Sequence, residues 1–149
     1  MKAQIITAAI LFGASMFAAA ENCEITVEGN DALQYNVKSI EVPASCEEFK
    51  VTLKHVGKLP KASMGHNFVL GLTADMAAIN ADGLKAGPSN DYLKPDDERV
   101  IAATELVGGG ETTTVTIPVS KLSADESYTY FCSFPGHSAL MKGELKLGS

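Results

Sequence analysis

The sequence lacks several features that would point to other classes of protein. It has no tryptophan among its 149 residues, so no indole is available as an intrinsic spectroscopic reporter. Positive charge is scarce, because 12 Lys and Arg stand against 18 Asp and Glu and the formal net charge is −6. Residues 21–149 contain no apolar run that approaches the roughly 20 residues of a membrane span. These absences argue against a nucleic-acid-binding protein and predict no membrane span.

The first residues of the chain differ from everything after them. An apolar run from Ile5 to Phe12 follows a single Lys, and three alanines, Ala18–Ala20, precede the first acidic residue. This order is that of a secretory signal peptide, whose apolar part is too short to compete as a membrane span. We therefore predict a signal peptide over residues 1–20, cut after one of the last two alanines. The remaining residues, 21–149, are predicted to be one domain exported to the bacterial periplasm.

Short stretches of alternating apolar and polar residues, separated by turn residues, fill most of this domain. The clearest is residues 49–54, where Phe49, Val51 and Leu53 alternate with Lys and Thr. About eight such stretches predict an all-β sandwich or barrel. The predicted strands cover residues 23–28, 35–42, 49–54, 66–72, 100–106, 112–119, 127–132 and 141–147.

One segment interrupts the β pattern and predicts a short helical flap. Thr73 is expected to cap this helix, which ends near Gly87. We interpret it as an insertion between two strands and not as a second domain. Four side chains are predicted on one face of the helix, namely Met76, Ile79, Asn80 and Leu84.

The strongest chemical signal lies near the end of the chain. Three cysteines in an exported protein leave one thiol over, and Cys132 falls in one short loop with His137 and Met141. A thiolate, an imidazole and a thioether together favour copper, because two His and one Cys with a weak axial Met form the electron-transfer copper site. This loop predicts a copper ion and lacks only the second histidine.

His66 is the predicted second histidine. It shares strand parity with Phe68 and Leu70, so it is expected to face the core with them. Gly65 precedes it and has no side chain, so the Gly65 carbonyl can approach the metal closely, from the face opposite Met141.

Three segments carry a resemblance to a known family. They are residues 64–67 (MGHN), 92–97 (YLKPDD) and 132–143 (CSFPGHSALMKG). In these segments, and in the spacing of Cys132, His137 and Met141, the chain resembles the azurins, within the wider cupredoxin group. The resemblance covers nearly the whole of the predicted domain.

The resemblance implies a Greek-key β-sandwich of about eight strands with copper at one end and a role in electron transport, not enzyme activity. It implies that Asn67 ties the ligand loops together and that the backbone amide of Phe134 donates to the Cys132 sulfur. Hydrogen bonds of this kind tune a metal's reduction potential. The implied ligands are His66, Cys132 and His137, with Met141 and the Gly65 carbonyl as weak axial ones.

The resemblance also implies a disulfide, which we assign to Cys23 and Cys46. Participation of Cys132 in the pairing is the alternative. Cys132 also has two metal-free interpretations, a buried structural thiol and a nucleophile with His137 as its base. His55 is predicted to face inward and has two open interpretations, a core histidine with satisfied hydrogen bonds and one whose protonation is coupled to the metal's redox state.

A competing interpretation of the whole chain is a metal-free or zinc-binding extracytoplasmic β-sandwich that acts as a binding module. Zinc accepts the same Cys and His ligands as copper. A copper-storage protein would favour exposed clusters of Met and His, which this sequence lacks.

Electrons are predicted to enter and leave through His137, which lies in an apolar surface loop. A small apolar patch supports brief contacts with other redox proteins, which we expect to be c-type cytochromes or periplasmic reductases. The protein is expected to be a monomer. The residues predicted to form the patch are Leu33, Met64, Phe134, Pro135, Ala139 and Leu140.

Overall fold

The computed structural model describes residues 22–149, so the predicted signal peptide lies outside the described residues. Among these residues, no helix is both long and apolar enough to cross a membrane. The strands are β1 (Glu24–Gly29), β2 (Ser39–Val42), β3 (Glu48–His55), β4 (Val69–Leu72), β5 (Ala102–Ala103), β6 (Thr112–Pro118), β7 (Tyr128–Phe131) and β8 (Lys142–Leu147). The α-helices are α1 (Lys61–Met64) and α2 (Met76–Ala86).

Two β-sheets make up the fold. The smaller has the strand order β1-β3-β6, with β1 parallel and β6 antiparallel to β3. The larger has the order β2-β8-β7-β4-β5, with β2 parallel to β8 and the other neighbours antiparallel. The predicted eight-stranded β-sandwich with one short helical flap is confirmed.

The core lies between the sheets and follows the alternation in the sequence. Phe49, Val51 and Leu53 of β3 are buried, whereas the alternate residues Glu48, Lys50 and Lys54 are exposed. Cys23 and Cys46 form a disulfide, and Cys132 is the free cysteine of the described chain. The thiol left over by the odd cysteine count is therefore the one in the loop after β7.

Three predicted strands are shorter than the sequence pattern suggested, and one of them is β4, which begins at Val69 and not at His66. The stretch 100–106 pairs with β4 only at Ala102–Ala103. The reason is a side chain, since the backbone N–H of Phe68 donates to the Thr104 hydroxyl instead of a strand carbonyl. The stretch 35–42 is a strand only over its last four residues.

The flap differs from its prediction in two details. Thr73 begins a short 3-10 turn before α2 and makes no capping hydrogen bond, because its hydroxyl bonds that of Thr129 on β7. Leu84 is exposed, and the residues of α2 that are buried are Ile79 and Gly83. The helix therefore presents a glycine where an apolar side chain could have faced the protein.

The strand directions bring several chemically important residues to one end of the sandwich. The parallel strands β1 and β3 both end there, at Gly29 and His55. Strand β4 is antiparallel to β7, so the chain entering β4 lies beside the chain leaving β7 at Cys132. Residues that are far apart in the sequence therefore lie close together at this end of the sandwich.

Candidate metal centre

Three buried side chains converge at this end. His66 lies just before β4, where its backbone forms an isolated two-residue bridge with Val107. Cys132 directly follows β7, and His137 begins a short 3-10 turn in the same loop. The potential ligand atoms of these three side chains all lie within 4.8 Å of one another.

The distances in this cluster fit a metal ion bound by two histidines and one cysteine. The Cys132 sulfur lies 3.6 Å from Nδ1 of His137 and 4.0 Å from Nδ1 of His66. Bonds of about 2.0 Å to nitrogen and 2.3 Å to sulfur, opening at about 120°, place the two donor atoms about 3.7 Å apart. The cluster is thus large enough for one ion and too small for two.

The His66 ring is held in the tautomer that a metal requires. Its Nε2 donates to the backbone carbonyl of Asn30 over 2.8 Å, which leaves the Nδ1 lone pair directed toward the sulfur. The ring packs against Gly29, where a Cβ would come within 2.9 Å of His66 Cδ2 and 3.2 Å of Met141 Cε. Gly29 therefore makes the space that the His66 and Met141 side chains fill.

The sulfur of Cys132 is shielded from water and surrounded by backbone groups. Burial raises its pKa to about 11, although hydrogen bonds from the backbone N–H groups of Asn67 and Phe134 act in the opposite direction. The Gly65 carbonyl oxygen lies 3.7 Å from the sulfur. A cation is therefore needed to keep this thiolate ionised at neutral pH.

Both histidines of the cluster are also neutral at pH 7. Burial, together with the neighbouring His66 and His55, lowers the pKa of His137 to about 4, and burial lowers that of His66. Neutral imidazoles are the form that binds metals. His137 keeps 4% of its surface exposed, whereas His66 and Cys132 are fully buried.

Hydrogen bonds tie the two ligand loops together. The Asn67 side chain accepts from the backbone N–H of Ser133 over 2.9 Å and donates to its hydroxyl over 2.8 Å. Asn67 follows His66 and Ser133 follows Cys132, and both are fully buried. This link therefore holds the segment of His66 against the segment of Cys132.

His55 lies beside the cluster, inside the protein. Its ring stacks on that of His66, with ring centres 4.2 Å apart. Its Nδ1 accepts from the N–H of Gly57, so the proton lies on Nε2, which donates to the Met64 carbonyl over 2.7 Å. Both ring nitrogens of His55 therefore have a hydrogen-bond partner in the backbone.

The other predicted residues differ in how far their side chains are buried. Met141 is fully buried immediately before β8, and its carbonyl accepts from the Cys132 N–H. Of the predicted patch, Pro135, Ala139 and Leu140 are exposed, Leu33 and Met64 are half-buried, and Phe134 is buried. The Phe134 ring lies 4.5 Å from that of His137, centre to centre.

Sequence reasoning predicted the Gly65 carbonyl and the Phe134 amide but missed three other groups beside the cluster. Asn30 and Asp91 contribute carbonyl oxygens, and Gly29 contributes the absence of a side chain. Ser133 was seen only as part of the loop motif. Apart from the glycine, which is an ambiguous signal, none of these roles has a residue-type signature.

A two-sheet β-sandwich with a buried pair of imidazoles and a thiol at one end defines a small metalloprotein of the cupredoxin type. The family model for copper-binding proteins, plastocyanin/azurin family, matches residues 21–148. The chain belongs to this plastocyanin/azurin family of copper-binding proteins.

Individual relatives are similar over nearly their whole length. Azurin-2 of Alcaligenes xylosoxydans xylosoxydans is 60% identical over 127 residues, which are 85% of this chain and 98% of that protein. The azurin of Achromobacter denitrificans is 52% identical over 149 residues, all of both chains. A solved azurin (Az-iso2) from Methylomonas sp. strain J superposes with a TM-score of 0.84 at 50% identity, over 87% of this chain and 100% of that one.

Proposed function

We propose that this protein carries one electron at a time through a type 1 blue copper centre and has no enzyme activity. The observation that carries the proposal is the buried cluster of His66, Cys132 and His137, with potential ligand atoms within 4.8 Å of one another. These three side chains would hold the copper ion most strongly, and Met141 and the Gly65 carbonyl would be its weaker ligands. When bound, copper supplies the one-electron step by alternating between Cu(II) and Cu(I).

The surrounding residues favour fast electron transfer because they resist movement. Asn30 fixes the His66 ring, and the Asn67–Ser133 link fixes the two ligand loops relative to each other. Ligands held in this way change position little when the ion changes charge, so little energy is spent on rearrangement. The three side chains of the cluster are buried, with Cys132 and His66 fully so, which supports a carrier that exchanges electrons without binding a substrate.

We further propose export and a redox partner. The signal-peptide pattern of residues 1–20 supports a location in the bacterial periplasm. His137 is the one member of the cluster with surface exposure, so it is the proposed point of electron entry. Other redox proteins, such as c-type cytochromes or periplasmic reductases, would meet it through brief contacts by a monomer.

Addition of Cu(II) to the purified metal-free protein tests the proposal. We expect intense visible absorption from thiolate-to-copper charge transfer, and we expect Cys132→Ser to abolish it. The double variant Cys23→Ala/Cys46→Ala is the matched control, because it removes the other two cysteines of the chain, which lie outside the cluster, and should keep the colour. A colourless wild-type protein would contradict the proposal and would favour the zinc-binding or metal-free binding module.

A further inference from the structure

The flap helix touches the rest of the protein backbone to backbone. Gly83 is buried in α2, and a Cβ at this position would overlap the carbonyl oxygen of Tyr92 and lie 2.9 Å from its carbonyl carbon. A glycine inside a helix costs about 1 kcal/mol relative to alanine. Its presence here allows the helix to press directly on the peptide that follows Tyr92.

The contacted segment has an unusual backbone conformation. Asp91 and Tyr92 both have φ of 53°, in the left-handed region that residues with side chains seldom adopt. The N–H groups of Asp91 and Tyr92 donate to the carbonyls of Pro88 and Gly87, just beyond the helix. Such a conformation persists only where its surroundings impose it.

This conformation directs the Asp91 carbonyl at the two ligand loops. The oxygen accepts from Nδ2 of Asn67 over 3.1 Å and from the hydroxyl of Ser133 over 3.3 Å. It therefore joins the link between the loops as a third member. The backbone N–H of the same Asn67 donates to the Cys132 sulfur.

A second contact holds the flap against this loop. The Arg99 guanidinium donates to Asp82 on α2 over 2.8 Å and to Asp97 in the loop over 2.6 Å. The helix is thus fastened at the Arg99 cluster and pressed against Tyr92 at Gly83. Together the two contacts hold α2 against the loop that contains Asp91.

We propose that helix α2 is a positioning element for the metal centre. Gly83 sets the position of the Asp91 carbonyl, which holds the Asn67 amide and so maintains the N–H donation to the Cys132 sulfur. Gly83 and Asp91 are positioning residues that act on the reduction potential without touching the ligands. This inference rests on the proposed copper function.

Gly83→Ala in the copper-loaded protein tests the proposal. The added methyl group should displace the Tyr92 peptide and weaken the N–H donation from Asn67. A sulfur with fewer hydrogen bonds stabilises Cu(II) relative to Cu(I), so the reduction potential should fall. At the midpoint potential of the wild type, the ratio of reduced to oxidised protein should therefore fall on the order of threefold. In the diamagnetic Cu(I) form, hydrogen exchange of the Asn67 backbone amide, followed by NMR, should accelerate.

Ala81→Gly is the matched control. It lies at an exposed position of the same helix and should weaken the helix by about 1 kcal/mol without entering the contact with Tyr92. Its reduction potential and its Asn67 exchange rate should equal those of the wild type. If the reduction potential shifts equally in Gly83→Ala and Ala81→Gly, the stability of the helix alone explains the shift, and the proposal would be wrong.

Other outcomes are equally decisive. A folded Gly83→Ala protein with an unaltered potential and unaltered Asn67 exchange would overturn the proposal. If Gly83→Ala does not fold, Arg99→Gln replaces it, because this change loosens the flap without adding an atom. Its reduction potential and Asn67 exchange rate are then compared with those of Ala81→Gly, and the proposal predicts a shift in Arg99→Gln alone. If the wild-type protein never turns blue, the copper function fails, and Asn67 exchange in the metal-free variants still tests the positioning role.

Discussion

At the scale of single residues, the site depends as much on a missing side chain as on the ligands. Gly29 ends β1 beside His66 and Met141, and any residue with a side chain at this position would collide with theirs. Asn30 follows and fixes the His66 ring through its carbonyl. Two consecutive residues thus give the first histidine both its position and its tautomer.

Gly29→Ala should lower copper affinity by about tenfold or more, because the new Cβ would come within 2.9 Å of the His66 ring and push it from its place. Competition with a chelator measures the affinity. Gly148→Ala is the control, since its Cβ would meet only the flexible Glu41 side chain. Equal affinities for the two variants would show that Gly29 has no such role.

At the scale of elements, the disulfide fastens the smaller sheet at the end away from the metal centre. It joins the residue before β1 to the segment before β3 and closes a sequence separation of 23 residues. The length of β1 places Cys23 about 20 Å from Gly29. Loss of the disulfide should therefore lower the stability of the fold without changing metal binding.

The double variant Cys23→Ala/Cys46→Ala should lower the free energy of unfolding of the metal-free protein by about 3.5 kcal/mol, the value expected for a loop of this length. Urea denaturation measures it. The copper-loaded variant should keep the wild-type visible spectrum. Loss of the colour in a folded variant would mean that the disulfide shapes the metal centre.

The ion pairs at the flap predict a pH dependence. Two hydrogen bonds from the Arg99 guanidinium hold the pKa of Asp97 below its usual range, and hydrogen bonds from Arg99 and Lys85 do the same for Asp82. A carboxyl whose pKa is lower in the folded state adds stability above its unfolded pKa of about 3.9. That stability is lost as the pH falls through the folded value.

Asp97→Asn should therefore reduce the free energy of unfolding at pH 7 and flatten its decline below about pH 4. Chemical denaturation of the metal-free protein from pH 7 to pH 2.5 measures the slope. Asp125→Asn removes the same charge at an exposed turn and should leave the slope nearly as in the wild type. A similar acid slope in Asp97→Asn and wild type would contradict the prediction.

At the scale of the whole molecule, the acidic chain carries an apolar area beside the proposed entry point for electrons. Leu140 is 59% exposed in the loop that holds His137. Thr114 is exposed in the middle of β6, an edge strand of the smaller sheet, where it pairs with Thr52 of β3. The two positions allow the same charge to be placed beside His137 or far from the loop.

Leu140→Glu should slow electron self-exchange between two copies by about tenfold, equivalent to about 1.4 kcal/mol, because the contact must then bury a carboxylate. NMR line broadening in mixtures of the two oxidation states measures the rate. Thr114→Glu changes the net charge equally and should have a much smaller effect. If both variants slow electron self-exchange equally, the net charge and not the apolar patch is the cause.

Much of the site could be predicted because it is local in sequence. Cys132, His137 and Met141 lie in one loop between two strands, so their spacing alone indicates a copper site. The odd cysteine count pointed to the same thiol. His66 is distant, yet strand parity with Phe68 and Leu70 gave its inward direction even though β4 begins only at Val69.

The sequence by itself determined the candidate donor residues, the β-sandwich and the leftover thiol, because residue type and spacing directly encode donor chemistry and alternation. Only the tertiary structure revealed the backbone groups that support the donors from outside the ligand segments. The Asn30 and Asp91 carbonyls and the close approach at Gly83 depend on strand register and on packing of the flap. Every residue has a carbonyl, so nothing in residue type marks those of Asn30 and Asp91 as the ones that folding brings to the metal centre.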